Sequence, residues 1–280
     1  MKNRIIAAAL AFGLSASAFA ASTATNTSTA SGSFLSMLRE APVSALLLSD
    51  NFIGKNDSND LVDFGQENRL YLGYNLSKKT NIRIDSGFAI SANQERRRAD
   101  LGTAAQYSGT TVRIKRTLSD EKTAGIGTSG EVRVNDFDGR YEDNSNLSGS
   151  VSTRLNLNKG FGKFNLASTI RYDRYMKRTG GDKALRTSKT NIYLTPSYAI
   201  SDKITVANLF YFQKAYNEKN DNQENISLRL VPSVAVSWTK RFATEFYYDT
   251  TPFVSNDQQT FRSNWWNKGS YGVTATYAAF

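Results

Sequence analysis

The chain has 280 residues, is 40% hydrophobic and 21% charged, and carries a formal net charge of +10 with no cysteine and no histidine. That length allows one large β domain or two ordinary domains. The missing cysteine excludes a disulfide framework and any thiolate metal site or nucleophile, and the missing histidine excludes an imidazole base.

The N-terminus reads "MKNRIIAAALAFGLSASAFA": Lys2 and Arg4, an apolar run from Ile5 to Leu14, then the small-x-small end Ala18-Phe19-Ala20. Residues 1–20 are therefore expected to be a secretory signal peptide cleaved after Ala20, which takes two cations away and leaves a net +8. For an exported chain this surplus points to anionic lipid or an anionic solute and away from nucleic acid. No later run reaches the roughly 18 to 20 apolar residues of a spanning helix, so a helical membrane protein is excluded. Residues 21–42 begin with "ASTATNTSTASGS", a flexible Ser/Thr/Ala tract with nothing to bury. "FLSMLREAP" then suits one short amphipathic turn of helix before Pro42.

From residue 43 onward the pattern is alternation. In "ISLRLVPSVAVSW" (226–238) the even positions are Ile226, Leu228, Leu230, Pro232, Val234, Val236 and Trp238, while the odd ones include Ser227, Arg229, Ser233 and Ser237. Period two marks a strand with two different faces. Twelve such strands are expected: Val43–Phe52, Asn68–Leu76, Asn81–Ile90, Ser108–Leu118, Glu131–Tyr141, Asn146–Leu157, Lys163–Tyr175, Thr190–Ile200, Lys203–Gln213, Asn225–Trp238, Arg241–Thr250 and Ser270–Phe280. Most run to about 10 to 14 residues, against about five or six in ordinary globular strands and about 9 to 11 in a tilted strand crossing a bilayer. Short connections (77–80, 158–162, 201–202, 239–240) alternate with long polar ones (53–67, 91–107, 176–189, 214–224, 251–269). "EVRVNDFDGRY" alternates poorly, so 91–145 reads as either two strands or one long loop, giving twelve strands or ten. "LTPSYAIS" (194–201) and "LVPSVAVS" (230–237) repeat one strand–turn–strand unit, with Pro196 and Pro232 read as outward-pointing bulges.

The two faces then separate. One carries Leu70, Leu72, Ile84, Phe88, Ile170, Leu194, Phe212 and Phe246; the other carries Arg69, Arg83, Asp85, Ser152, Arg154, Arg171 and Asp173. Pointed inward, the apolar set of so many strands would overfill a barrel. Pointed outward it meets lipid, and only a closed barrel satisfies every backbone group in hydrocarbon. The expected fold is all-β: a closed antiparallel transmembrane β-barrel over 43–280.

In its signal peptide, its long alternating strands, its short-turn and long-loop asymmetry and its terminal Phe280, the chain resembles the bacterial outer-membrane β-barrel (porin-like) superfamily. The resemblance implies outer-membrane localisation, short periplasmic turns, longer extracellular loops and a periplasmic 21–42. It also implies that Phe280 closes the last strand and serves as an assembly signal read by the outer-membrane assembly machinery. One departure stands out: Tyr271, Val273, Ala275 and Tyr277 lie out of phase with Phe280, so a bulge near Ala279 is expected. Outer-membrane barrels that are enzymes (phospholipase, omptin-type protease, lipid-A deacylase) place a histidine in the site, which this chain lacks. No enzyme, cofactor or metal is expected.

The expected role is a passive diffusion channel for small hydrophilic solutes. Inward candidates are the cations Arg69, Arg83, Arg113, Lys115, Arg154, Arg171 and Arg229 and the anions Asp85, Asp173, Glu245 and Asp249. Seven cations against four anions predict a mild anion preference, unless the charges pair across the lumen and brace a closed barrel. Serines along 146–157 are expected to leave space. The alternative is a non-conducting surface barrel whose basic loops, Arg96 to Arg98 and Lys177, Arg178, Lys183, Arg186 and Lys189, contact lipopolysaccharide phosphates. The acidic run Asp136, Asp138, Glu142 and Asp143 has hard oxygen ligands but no EF-hand spacing.

Overall fold

A computed structural model describes residues 43–55, 62–93, 105–136, 147–177, 186–217, 225–256, 258–261 and 265–279. The strands are β1 (Val43–Lys55), β2 (Val62–Ser77), β3 (Thr80–Asn93), β4 (Ala105–Ser119), β5 (Gly127–Asp136), β6 (Leu147–Phe161) and β7 (Phe164–Lys177). They continue as β8 (Arg186–Ala199), β9 (Ile204–Asn217), β10 (Asn225–Ser237), β11 (Phe242–Asn256), a four-residue β12 (Gln258–Phe261) and β13 (Ser270–Ala278). Every pairing is antiparallel. Each of β1 to β11 pairs with the next, and β13 closes the ring between β11 and β1. The result is a closed twelve-stranded barrel, with β12 hairpinned onto the far end of β11. The bulge expected near Ala279 involves Phe280, which lies outside the described residues, as do 1–42.

The uncertain stretch 91–145 holds two strands, so the ten-strand alternative is excluded. β5 starts at Gly127, four residues before the expected strand, and Glu131–Asn135 alternates cleanly once Glu131, Arg133 and Asn135 are set inward. Its alternation is hard to see because the inward residues are charged or polar and only Val132 and Val134 are apolar. Between β4 and β5 lies a single helical turn, α1 (Glu121–Ala124). Asp120 caps it by accepting from the Lys122 N–H, and Gly125 ends it at φ 75°, a conformation glycine adopts without cost. Glu121 ties this turn to the neighbouring one by accepting from the Gly160 N–H at 2.6 Å.

The short-turn rim repeats one local device. Ser77 Oγ accepts from the N–H of Lys79 and Thr80 at 3.2 and 3.1 Å. Ser201 does the same for Lys203 and Ile204, and Thr239 for Arg241 and Phe242. A hydroxyl followed by two polar residues mimics a backbone turn and fixes hairpin register. At 162–163 the work is done by Gly162 at φ 61°.

The faces are inverted relative to a soluble protein. Leu72, Ile84, Val132, Ile170 and Phe246 are about half exposed on the outside, whereas Asp50, Glu67, Asp173 and Asn191 are buried within. The outer face is what hydrocarbon requires, and the ring leaves no sheet edge for it to solvate.

Pro196 and Pro232 do face outward, but neither is a bulge. The β8–β9 register is the same at Leu194↔Phe210 and Ser197↔Ala207, and the β10–β11 register the same at Leu230↔Thr250 and Ser233↔Tyr247. The ladder is interrupted at each proline without slipping, because the ring removes a donor and leaves the count of residues unchanged. The bulge in this region sits instead between Leu228 and Leu230.

Candidate functional site

The lumen wall falls into three sectors by charge. On β3 to β6 the inward cations are Arg83, Arg113, Lys115, Arg133 and Arg154, against Asp85 and Glu131. On β7 to β11 they are Arg171, Lys189 and Arg229 against Asp173, Glu245 and Asp249. From β13 through β1 to β2 there is Arg69 against Asp50 and Glu67. All eleven residues expected inward from the sequence are inward. Arg133, Lys189, Asp50, Glu67 and Glu131 join them. Lys189 belongs to β8 and is buried against the lumen, not carried on a loop. Its signal was its odd-numbered phase with Asn191 and Tyr193.

The basic sector is built by register. Arg83 pairs directly with Arg113, Arg113 with Arg133, and one pair further along Glu131 faces both Lys115 and Arg154. Glu131 collects three guanidiniums: Arg113 Nη1 at 3.4 Å, Arg154 Nε at 3.7 Å, and Arg133 through its Nε. Asp85 is taken by Arg69 at 3.1 Å, and Arg69 also pairs with Glu67 at 2.8 Å. Arg83 rests its guanidinium 4.2 Å over the Tyr71 ring, a cation–π contact. The Nε atoms of Arg69, Arg83, Arg113 and Arg154 are shielded from solvent and have no hydrogen-bond partner.

In the sector from β7 to β11 two arginines are each paired with one carboxylate. Arg171 Nε donates to Asp173 at 2.5 Å, Ser152 donates to the same carboxylate, and Asn191 Nδ2 donates to its other oxygen at 3.0 Å. Arg229 meets Asp249 through Nε at 3.1 Å and through Nη2, a two-point fork. Tyr193 and Tyr211 stack at 4.7 Å, and Leu209, Val231 and Tyr247 pack beside them. The space expected beside the β6 serines is filled: Ser150 and Ser152 are 1% and 0% exposed, with Asn135 Nδ2 bonded to both. Near the chain's closing seam, Asp50 accepts from Thr274 at 2.6 Å and from Tyr247 at 3.0 Å.

These ion pairs run along the wall, between residues of one strand or of adjacent strands. They are not the across-lumen braces that would close the bore. Of the loop cations, Arg96 to Arg98, Arg178 and Lys183 lie outside the described residues, as do the side chains of Lys177 and Arg186. Asp138, Glu142 and Asp143 lie outside them too, and Asp136 is exposed on the outer side of β5. Among the described residues no group of three metal-ligating side chains forms.

No family model and no curated protein matches the sequence. Solved structures match its shape. An outer membrane channel from Pseudomonas putida F1 superposes with a TM-score of 0.61 at 11% identity, covering 84% of this chain and 95% of that one. The NanC porin superposes with a TM-score of 0.52 at 12% identity, covering 83% and 98%. The chain has the fold of bacterial outer-membrane channels. At such identities the likeness is one of backbone architecture, and the lumen chemistry belongs to this sequence.

Proposed function

We propose that this chain is an outer-membrane channel for passive diffusion of small hydrophilic solutes, with a preference for anions. One observation carries the reading: the lumen charges pair along the wall and leave a basic surplus on β3 to β6, where a brace would match charges across the bore. Lumen rings of Arg and Lys favour anions because they replace the ion's hydration with fixed donors and a favourable potential. The two structural relatives named above, an outer membrane channel and a porin by name, support the outer-membrane setting. So does the signal peptide expected at 1–20. Sixteen inward charges among the described side chains, nine positive and seven negative, keep the preference mild overall. Its strength comes from where the charges sit more than from their sum.

The test is single-channel recording in a planar bilayer across a salt gradient. Discrete steps with a reversal potential on the anion side are expected. A correctly folded barrel that stays silent would overturn the channel reading, and a cation-side potential would overturn the preference.

A further inference from the structure

We propose that Arg83, Arg113, Arg133 and Arg154, together with Lys115, form a binding site for one small divalent oxyanion of the phosphate or sulfate class. The site lies in the channel proposed above and rests on that reading for the ion's route of entry.

Direct cross-strand pairs hold their Cβ atoms about 4.5–5.5 Å apart, and like charges in such a pair repel. Here three arginines stand in one such row, Arg83–Arg113–Arg133, with Arg154 joined to it through Glu131. Among the described residues Glu131 is the carboxylate in direct ion-pair contact with the cluster, while Asp85 nearby is bonded to Arg69. A single carboxylate has two oxygens, and three guanidiniums already converge on them. Arg113 and Arg154 are each only 8% exposed, and in both the Nε makes no hydrogen bond, that of Arg154 lying 3.7 Å from Glu131. The Nε of Arg83 makes none either, and its guanidinium has an aromatic face in place of an anion. Buried unpaired donors of this kind point to a missing acceptor. A tetrahedral oxyanion brings two charges and several acceptor oxygens, and guanidinium forks match pairs of them in the plane. A halide offers one charge and no second oxygen to fork. The same phosphoryl chemistry could be presented by the free ion or by a small phosphate monoester.

Inorganic phosphate titrated calorimetrically into the barrel in detergent micelles, at constant ionic strength in chloride, should show one saturable site. Arg113→Gln and Arg154→Gln should each weaken it by about tenfold, the usual scale for a lost charged hydrogen bond. Arg174→Gln, exposed on the outer face of β7, should leave it unchanged. Glycerol phosphate binding equally would identify a site open to organic solutes, and its failure to bind would identify one closed around the free ion. If the variants fail to fold, the wild-type protein still decides: its thermal midpoint should rise in phosphate over chloride at equal ionic strength. No saturable binding and no rise would overturn the site. Chloride conductance separates the two readings, since a conducting barrel that ignores phosphate sinks the site alone, and a silent barrel that binds phosphate sinks the channel alone.

Discussion

The wall from β3 to β6 and the wall from β7 to β11 share one strand geometry but resolve their buried charges in opposite ways. On the second, Arg171 has Asp173 and Arg229 has Asp249, tyrosines stack beside them, and the buried side-chain atoms without a hydrogen bond are neutral: Tyr193 Oη, Thr195 Oγ1 and Asn208 Oδ1. On the first, five cations stand against two carboxylates, one of them bonded to Arg69, and the buried atoms without a hydrogen bond are Ser108 Oγ and the guanidinium nitrogens of Arg83, Arg113 and Arg154. Burying a charge is costly unless it is paired, so a paired wall can serve as scaffold. A wall with a surplus is stable only if something outside the protein answers it. In the channel proposed above, that difference would give solute contact to β3–β6 and bracing to β7–β11.

The largest test of this contrast is stability. Removing one partner of a buried ion pair costs about 3–5 kcal/mol because the other is left uncompensated. Glu131→Gln abandons three guanidiniums at once and should reach or exceed that range, while Asp249→Asn abandons Arg229 alone and should fall at its lower end. Urea unfolding in detergent micelles followed by tryptophan fluorescence compares them directly. Equal losses would mean that the basic wall is no more dependent on its carboxylate than the paired one.

A smaller effect concerns selectivity. Arg113→Glu should carry the reversal potential from the anion side to the cation side, because it replaces a positive charge with a negative one where the surplus sits. Glu245→Gln, on the balanced wall, should move it only slightly toward anions. If Glu245→Gln shifts it as far as Arg113→Gln, net lumen charge sets selectivity and the position of the surplus does not matter.

The barrel was legible in the sequence because outward residues are apolar and inward ones polar, a signal that survives any uncertainty in height or tilt. Ten strands follow from it outright, and the pair in 91–145 is left open against one long loop. Alternation starts β5 four residues late because its inward side is Glu131 and Arg133, so apolar contrast comes from two valines alone. The inward charges missing from the sequence reading have two causes. Lys189 and Glu67 each sit one residue outside an expected strand, where period two gives no warning that the strand continues. Asp50, in contrast, lies inside the expected first strand, and Glu131 and Arg133 inside the poorly alternating one. Convergence on Glu131 was not legible at all, since it depends on the relative register of three strands, and register comes from turns and packing. The prolines taught the reverse lesson: the sequence suggested bulges, whereas the register runs through unbroken.

The smallest test lies on the paired wall and on its outer face. The Trp238 N–H donates to the Phe242 carbonyl, so hydrogen-bonded pairs recur every second residue and place Pro232 opposite Tyr248 in a pair that should exchange bonds. Proline has no N–H, so the Tyr248 carbonyl loses its ladder donor. The bond from the Ile200 N–H to the Ile204 carbonyl sets the same phase on β8–β9, and there Pro196 faces Asn208. Asn208 lies between both prolines, opposite Pro232 on its other side, and its Oδ1 is itself unpartnered. Pro232→Val restores a donor without changing register and puts a β-branched residue on a pleated, lipid-facing surface. The gain should be about 1 kcal/mol, the net worth of one hydrogen bond, with conductance and selectivity unchanged. A loss of stability instead would show that the strand there follows the proline's fixed φ, and that the bulge between Leu228 and Leu230 and the ladder gap form one feature. In that case the paired wall too would contain strain, and the contrast between the walls would be one of charge alone.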